Sequence, residues 1–253
     1  YELIRAAGEE NLLIHSTEGV RPDEAEGYCK ELLDRDTDGL ILFTFFFERN
    51  GWLDTFKASG LPLVVFNRDF GDDVPCVLMD HKGQAADQVS RLLYGGHKRV
   101  ACMGQFWGTA MLRMEGCRER LKAAGCHDPN LEREAPYSLE ASKEAGLRLL
   151  QECPDVTAVF CTTDLTAVGV LRAARAMGKR VPEDLSIASM DGYEFSAYTE
   201  PPLSTVRYPR AQMGRAALKL LRQVAVGRAP QPSRMVLRGE IIEGGTIARC
   251  AKA

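Results

Sequence analysis

Among these 253 residues no apolar run approaches the roughly 20 that carry a helix across a bilayer. The longest, Gly39 to Phe47, has the length of a buried strand and its exit loop. A basic surface is also lacking. Thirty-two Lys and Arg stand against 35 Asp and Glu, a net charge of −3, whereas a nucleic-acid surface needs a basic excess or stripe. The basic run Arg207, Arg210, Arg215, Lys219 and Arg222 reads as the solvated face of a helix whose apolar stripe lies opposite. Catalytic signatures are missing as well: there is no G-x-S-x-G, H-E-x-x-H, P-loop or G-x-G-x-x-G. The four histidines (His15, His81, His97 and His127) are far apart, and His97 reads as a hinge or surface residue. The expectation is a chain that is not an enzyme and needs no cofactor or metal.

Paired cysteine motifs are absent too. Cys29, Cys76, Cys102, Cys117, Cys126, Cys153, Cys161 and Cys250 are scattered, with no C-x-x-C and no His at ligand spacing. They read as reduced structural thiols, a usage that fits the cytoplasm. The opening Y-E-L-I-R-A-A-G-E-E has no apolar core of a signal peptide. It reads as the end of an amphipathic helix with the preceding strand lying outside the chain.

What is present is an alternation of strand and helix patterns, most legible from Val156 to Tyr208. An apolar run (Val156 to Cys161) meets a polar turn at Thr162, Thr163 and Asp164. A helix-period stretch follows, with Leu165, Val168, Leu171, Ala174 and Met177 on one stripe. Gly178 and Pro182 punctuate its end, and a second apolar run (Leu185 to Met190) stops at Asp191-Gly192. A strand, a crossover helix and a parallel strand place Asp164 and Asp191 at carboxyl ends of one sheet, the edge where open α/β sheets bind ligands.

The same alternation runs through the rest. Strands are expected at Asn11 to His15, Gly39 to Thr44, Leu61 to Phe66, Cys76 to Met79, Arg99 to Met103, Leu131 to Ala135 and Arg234 to Ile242. Helices are expected at Pro22 to Asp34, Gly51 to Ser59, Lys82 to Leu93, Ala110 to Ala124, Ser138 to Glu152 and from Pro209 onward. Two such series, divided near Gly96, suggest two parallel sheets with helices on both faces.

G-G-H-K-R-V-A-C-M-G (Gly95 to Gly104), R-M-E-G-C-R-E-R-L (Arg113 to Leu121), T-D-L-T-A-V-G-V-L-R-A-A, V-P-E-D-L-S-I-A-S-M-D-G and P-P-L-S-T-V together resemble the effector-binding core of the lactose/galactose-repressor (LacI/GalR) family. The resemblance implies an α/β fold: two doubly wound parallel-sheet lobes of the periplasmic-binding-protein-like type, joined by a three-segment hinge. Residues 1–97 with 208–228 would form the first lobe, lacking its first strand, and residues 98–207 with 229–253 the second. It further implies a small-molecule effector, a sugar or related metabolite, held in a cleft between lobes. Operator DNA would be read by a domain outside this chain, the protein would be a homodimer, and no membrane would be involved. An extracellular solute-binding protein of a sugar transporter is the alternative with a similar fold.

The site residues follow from the same resemblance. Arg113 matches the arginine of the family's R-x-x-G pattern, Asp191 follows the strand in S-M-D-G, and Tyr137 falls where an aromatic often stacks on the ligand. Thr163 and Gly192 depart from the pattern, which commonly has Asn and a second acidic or polar residue there. Asp164 is either a ligand contact or the cap of its own helix. Phe45, Phe46 and Phe47 leave a strand together, so at least one of them, taken as Phe45, turns to the ligand. Arg68, Tyr208 and Trp107 complete the set, the last as a lid or stacking residue.

Overall fold

The computed structural model describes residues 27, 30, 32, 33, 37–43, 51–228 and 233–251. The strand expected at Asn11 to His15, most of the helix from Pro22 to Asp34, the three residues Phe45, Phe46 and Phe47, and the crossing near Ala229 lie outside them.

The chain divides into two compact units. Of the described residues, the first unit holds those up to Met79 together with Pro209–Leu237, and the second Asp80–Tyr208 with the residues from Arg238 on. The first contains β1 (Leu40–Phe43), α1 (Gly51–Ser59), β2 (Leu63–Phe66) and β3 (Cys76–Met79). The second contains α2 (His81–Tyr94), β4 (Val100–Gly104), α3 (Gly108–Ala123), β5 (Glu132–Glu134), α4 (Leu139–Glu152), β6 (Ala158–Cys161), α5 (Asp164–Ala176), β7 (Ser186–Ala188) and β8 (Thr205–Arg207). The chain then supplies α6 (Arg210–Ala225) and β9 (Arg234–Leu237) to the first unit and β10 (Glu240–Ile242) to the second.

In the first unit the order is β1-β2-β3-β9, every pair parallel. Alternation along β2 sends Leu63 and Val65 into a core with Leu53 and Phe56 of α1, Phe70, Val74 and Cys76. Helix α6 packs on β1, β2 and β3, burying Met213, Ala216, Ala217 and Leu220 and leaving Arg210, Arg215, Lys219 and Arg222 exposed. That is the solvated basic face its periodicity predicts.

The second unit carries a parallel sheet of order β5-β4-β6-β7. Strand β4 connects outward to β5, and the chain then returns to the other side of β4 as β6. The connections therefore reverse direction at β4 and β6, and ligands in open α/β sheets sit beyond the carboxyl ends of strands at such a point. Helices α2 and α3 pack together, as do α4 and α5. Both pairings depend on missing side chains. A Cβ on Gly116 would lie 2.1 Å from the Lys82 carbonyl oxygen, and one on Gly169 would lie 2.5 Å from the Ser142 Cβ.

Several expectations change. The division falls after Met79 rather than near residue 97, because α2 packs closely on α3 of the second unit. The closing strand is two strands: β9 pairs with β3, and β10 pairs antiparallel with β8 in a different sheet. Of the expected α5 stripe, Leu171 and Ala174 are buried and Val168 and Met177 pack partly buried against the core, while the buried face extends to Ala167, Val170 and Ala173, small residues that admit α4 at short range. His97 is not a surface residue. It is buried, with Nδ1 3.0 Å from Thr157 Oγ1 and Nε2 3.1 Å from the Ala248 carbonyl, and burial lowers its pKa. Not all cysteines are free thiols: Cys102 of β4 and Cys117 of α3 form a disulfide, while Cys76, Cys126, Cys153, Cys161 and Cys250 are free. Helix α3 folds back over its own strand and brings their Cα atoms to 6.8 Å, a proximity that 15 residues of sequence separation conceals.

Candidate functional site

Every strand of the second unit's parallel sheet ends in a polar or aromatic turn at the same edge. Gln105, Phe106 and Trp107 follow β4, Tyr137 follows β5, Thr162 and Thr163 follow β6, and Asp191 to Phe195 follow β7. At the reversal point β4 and β6 touch so closely that a Cβ on Gly104 would lie 1.8 Å from Thr162 Oγ1.

Arg113 is the centre of this edge. It sits on α3, within the helix expected there, and only 3% of it is exposed. Its Nη1 donates to Asp191 Oδ1 at 2.8 Å and to the Thr162 carbonyl. Its Nη2 donates to the Tyr208 hydroxyl at 2.8 Å, and its Nε donates to His81 Nδ1 at 3.1 Å. Four of the five N–H donors of the guanidinium are thus committed. Burial works against its charge, but Tyr208 and Asp191 outweigh it and hold its pKa above the ordinary arginine value.

His81 is the member of this network that sequence reasoning missed. A histidine isolated in sequence carries no signal of its partners. The only usable hint was its place at the start of α2, immediately after a strand. Because Arg113 only donates, Nδ1 of His81 accepts, and the neutral ring carries its proton on Nε2, 2.9 Å from the Tyr208 hydroxyl. Burial, reinforced by the Arg113 charge, pushes its pKa down to about 2.

Asp191 has a positive φ of 121°, unusual for a residue with a side chain. It is held there from both sides: its N–H donates to the Val206 carbonyl at 3.0 Å and its carbonyl accepts from the Tyr208 N–H at 3.2 Å. The carboxylate is thereby fixed beside Arg113 with 7% of the residue exposed.

Thr163, not Asp164, caps α5: its Oγ1 accepts from the Thr166 N–H at 3.1 Å. Asp164 is wholly buried and accepts from Ser189 Oγ at 2.7 Å, Thr205 Oγ1 at 2.6 Å and the Tyr193 N–H at 2.9 Å. Burial raises its pKa to about 6 despite the hydroxyls that oppose it. A folded pKa above the unfolded one means that the native state holds the proton more tightly. The stability from this group is therefore full below about pH 4 and lost as pH rises through about 6. The side-chain carboxyl carbon of Asp164 is expected to titrate near pH 6 by NMR, and a midpoint near the ordinary Asp value would contradict this environment.

Around the polar centre lie half-exposed aromatics: Phe106, Trp107, Tyr137, Tyr193 and Phe195. Tyr193 and Phe195 stack with centroids 5.6 Å apart at 12°, and Tyr137 hydrogen-bonds Tyr193. Burial, with Tyr193 and Asp191 nearby, pushes the Tyr137 phenol up to about 12. Core packing does not describe Tyr137, which is 55% exposed. The structure thus gathers Arg113, Asp191, Tyr208, Thr163, Asp164, Tyr137 and Trp107 along one sheet edge. Arg68 lies in the first unit, its guanidinium 5.3 Å from the Phe70 ring centroid, and Phe45 is outside the described residues.

The profile of the periplasmic binding protein-like domain matches residues 89–247. The HTH-type transcriptional regulator CelR of Thermobifida fusca is 31% identical over 231 residues, 88% of this chain and 66% of its own. The HTH-type transcriptional repressor CytR of Escherichia coli K12 is 30% identical over 223 residues, 86% of this chain and 65% of its own. The chain thus spans about two thirds of the length of these curated relatives. A solved structure of a transcriptional regulator CelR–cellobiose complex superposes with a TM-score of 0.85 at 28% identity, covering 97% of this chain and 76% of that one. The chain belongs to the periplasmic binding protein-like domain family, in the branch of the LacI-family transcriptional regulators.

Proposed function

We propose that this chain is the ligand-sensing core of a transcriptional regulator and that its effector is an uncharged sugar bound at the carboxyl edge of the second unit's sheet. The buried Arg113–Asp191 pair carries the reading. A carboxylate has about four acceptor sites, enough to take ligand hydroxyls in addition to Arg113. An anionic ligand would need a guanidinium fork, and Arg113 has already spent its fork on Asp191, Thr162 and Tyr208. The pair is neutral in sum and His81 is uncharged, so the Arg113 cluster offers donors and acceptors without net charge of its own. Tyr137, Trp107, Tyr193 and Phe195 supply the flat apolar faces against which the C–H side of a pyranose packs.

The similarity to a cellobiose-bound regulator supports the same class. The names of the relatives support a regulator rather than a transport protein or an enzyme, and with it a location in the cytoplasm. Operator contact would belong to a part of the regulator beyond these residues, and a homodimer would match a two-fold operator. Effector binding would act by its differential affinity for two conformations of the core.

A thermal-shift panel tests the ligand class. A bound sugar at a hundred times its dissociation constant is expected to add about 2.7 kcal/mol of stability. Sugar acids and sugar phosphates are expected to leave the melting temperature unchanged. Stabilisation by a sugar acid but by no neutral sugar would overturn the assignment.

A further inference from the structure

Asp164 is a buried carboxylate that its own helix does not need. Thr163 caps α5, yet three donors from elsewhere in the chain converge on Asp164: the hydroxyls of Ser189 and Thr205 on Oδ1 and the Tyr193 N–H on Oδ2. Thr205 Oγ1, while donating to Asp164, also accepts from the Gly192 N–H at 3.3 Å. Two consecutive amides, Gly192 and Tyr193, are therefore held by Asp164, one through Thr205 and one directly.

These amides belong to the stretch that most needs holding. Asp191 has a φ of 121°, which a residue with a side chain adopts only when its surroundings impose it, and Gly192 follows at 60°, a value open to glycine. The same stretch presents the Asp191 carboxylate to Arg113 and the Tyr193–Phe195 stack to solvent.

We infer that Asp164 is a positioning residue, which sets the backbone of residues 191–195 and so places Asp191, Tyr193 and Phe195 for ligand. Its consequence for binding rests on the reading of this edge as the effector site; its effect on the backbone does not. A carboxylate accepts from all three donors at once, and its charge strengthens each bond. An Asn has one oxygen: it either sets its amide N–H against the Tyr193 N–H, donor against donor, or keeps that bond and turns both hydroxyls round to accept, and in either case the charge-assisted bonds are lost.

Hydrogen exchange on the whole chain, compared between wild type and Asp164→Asn near neutral pH, is the test. Protection across residues 190–198 is expected to fall about tenfold or more, the scale of a lost charge-assisted hydrogen bond, with β4 and β6 unchanged. Protection within about twofold of wild type in that segment would overturn the inference. If Asp164→Asn does not fold, Thr205→Val and Thr205→Ser decide. Exchange at Gly192 and Tyr193 is expected to rise in the Val variant only, and equal exchange in the two would count against the relay. Cellobiose titration by calorimetry separates the two readings. A wild type that binds cellobiose is expected to lose about tenfold in affinity on Asp164→Asn, and unchanged affinity would overturn the positioning of the ligand groups. A wild type that ignores cellobiose bears on the ligand reading alone, and the exchange result still decides the role of Asp164.

Discussion

Asp191→Ala is expected to lower affinity for the sugar found in the thermal-shift panel by about 2–5 kcal/mol, the scale for truncating one member of a buried charge pair. The same substitution is expected to cost stability. Arg113 is 3% exposed, and without Asp191 its charge is left buried, compensated only by neutral acceptors. Breaking a buried pair costs about 3–5 kcal/mol, so the loss should be visible in urea denaturation without ligand. Asp191→Asn separates the two effects. It keeps one oxygen for Arg113 and the volume of the side chain, so stability should largely return while binding of ligand hydroxyls stays impaired. Arg113→Ala should lose binding to a similar degree, because Asp191, Tyr208 and His81 are all oriented on it. Unchanged calorimetric affinity in both Asp191→Ala and Arg113→Ala would remove this edge from consideration as the site.

Gly192→Ala should be the most damaging change that deletes nothing. A Cβ at residue 192 would lie 2.2 Å from the Arg207 Cα, and φ there is +60°. The left-handed conformation alone costs a residue with a side chain about 1–2 kcal/mol, and overpacking adds about 1–3 kcal/mol. Arg207 cannot yield cheaply, since the nearest atom is backbone of β8. A loss of roughly 2–5 kcal/mol in denaturant unfolding is expected, with weaker sugar binding because Asp191 is the adjoining residue. A variant as stable as wild type would show that the 191–192 turn is not built as described.

Gly192 also shows where sequence reading misleads. Beside the family pattern it looks like a lost polar contact, a comment on which ligand is bound. In the fold it is the only residue type that lets the turn after β7 pass the backbone of Arg207. Asp164 was open between cap and ligand contact; Thr163 is the cap instead, and the hydrogen bonds of Asp164 run to Ser189, Tyr193 and Thr205, residues 25 to 41 positions away that no local pattern connects to it. His81 carried no local signal at all. Its role exists only because α2 begins beside the second turn of α3 and the segment ending in Tyr208.

Periodicity, turn residues and strand–helix alternation are local properties, and they determined the parallel α/β class, most element boundaries and the presence of Asp191 and the Thr163 turn at strand ends. Arg113 was legible too, as a motif position, though not as a buried helix residue. Tertiary packing alone decided that the units part after Met79, that Cys102 meets Cys117, and that Arg113, Asp191, Tyr208 and His81 form one network. Those outcomes rest on close approach between segments far apart in sequence, set by the absence of side chains at Gly104, Gly116, Gly169 and Gly192. A glycine in a sequence says that a side chain is missing; only the folded chain says what occupies the space.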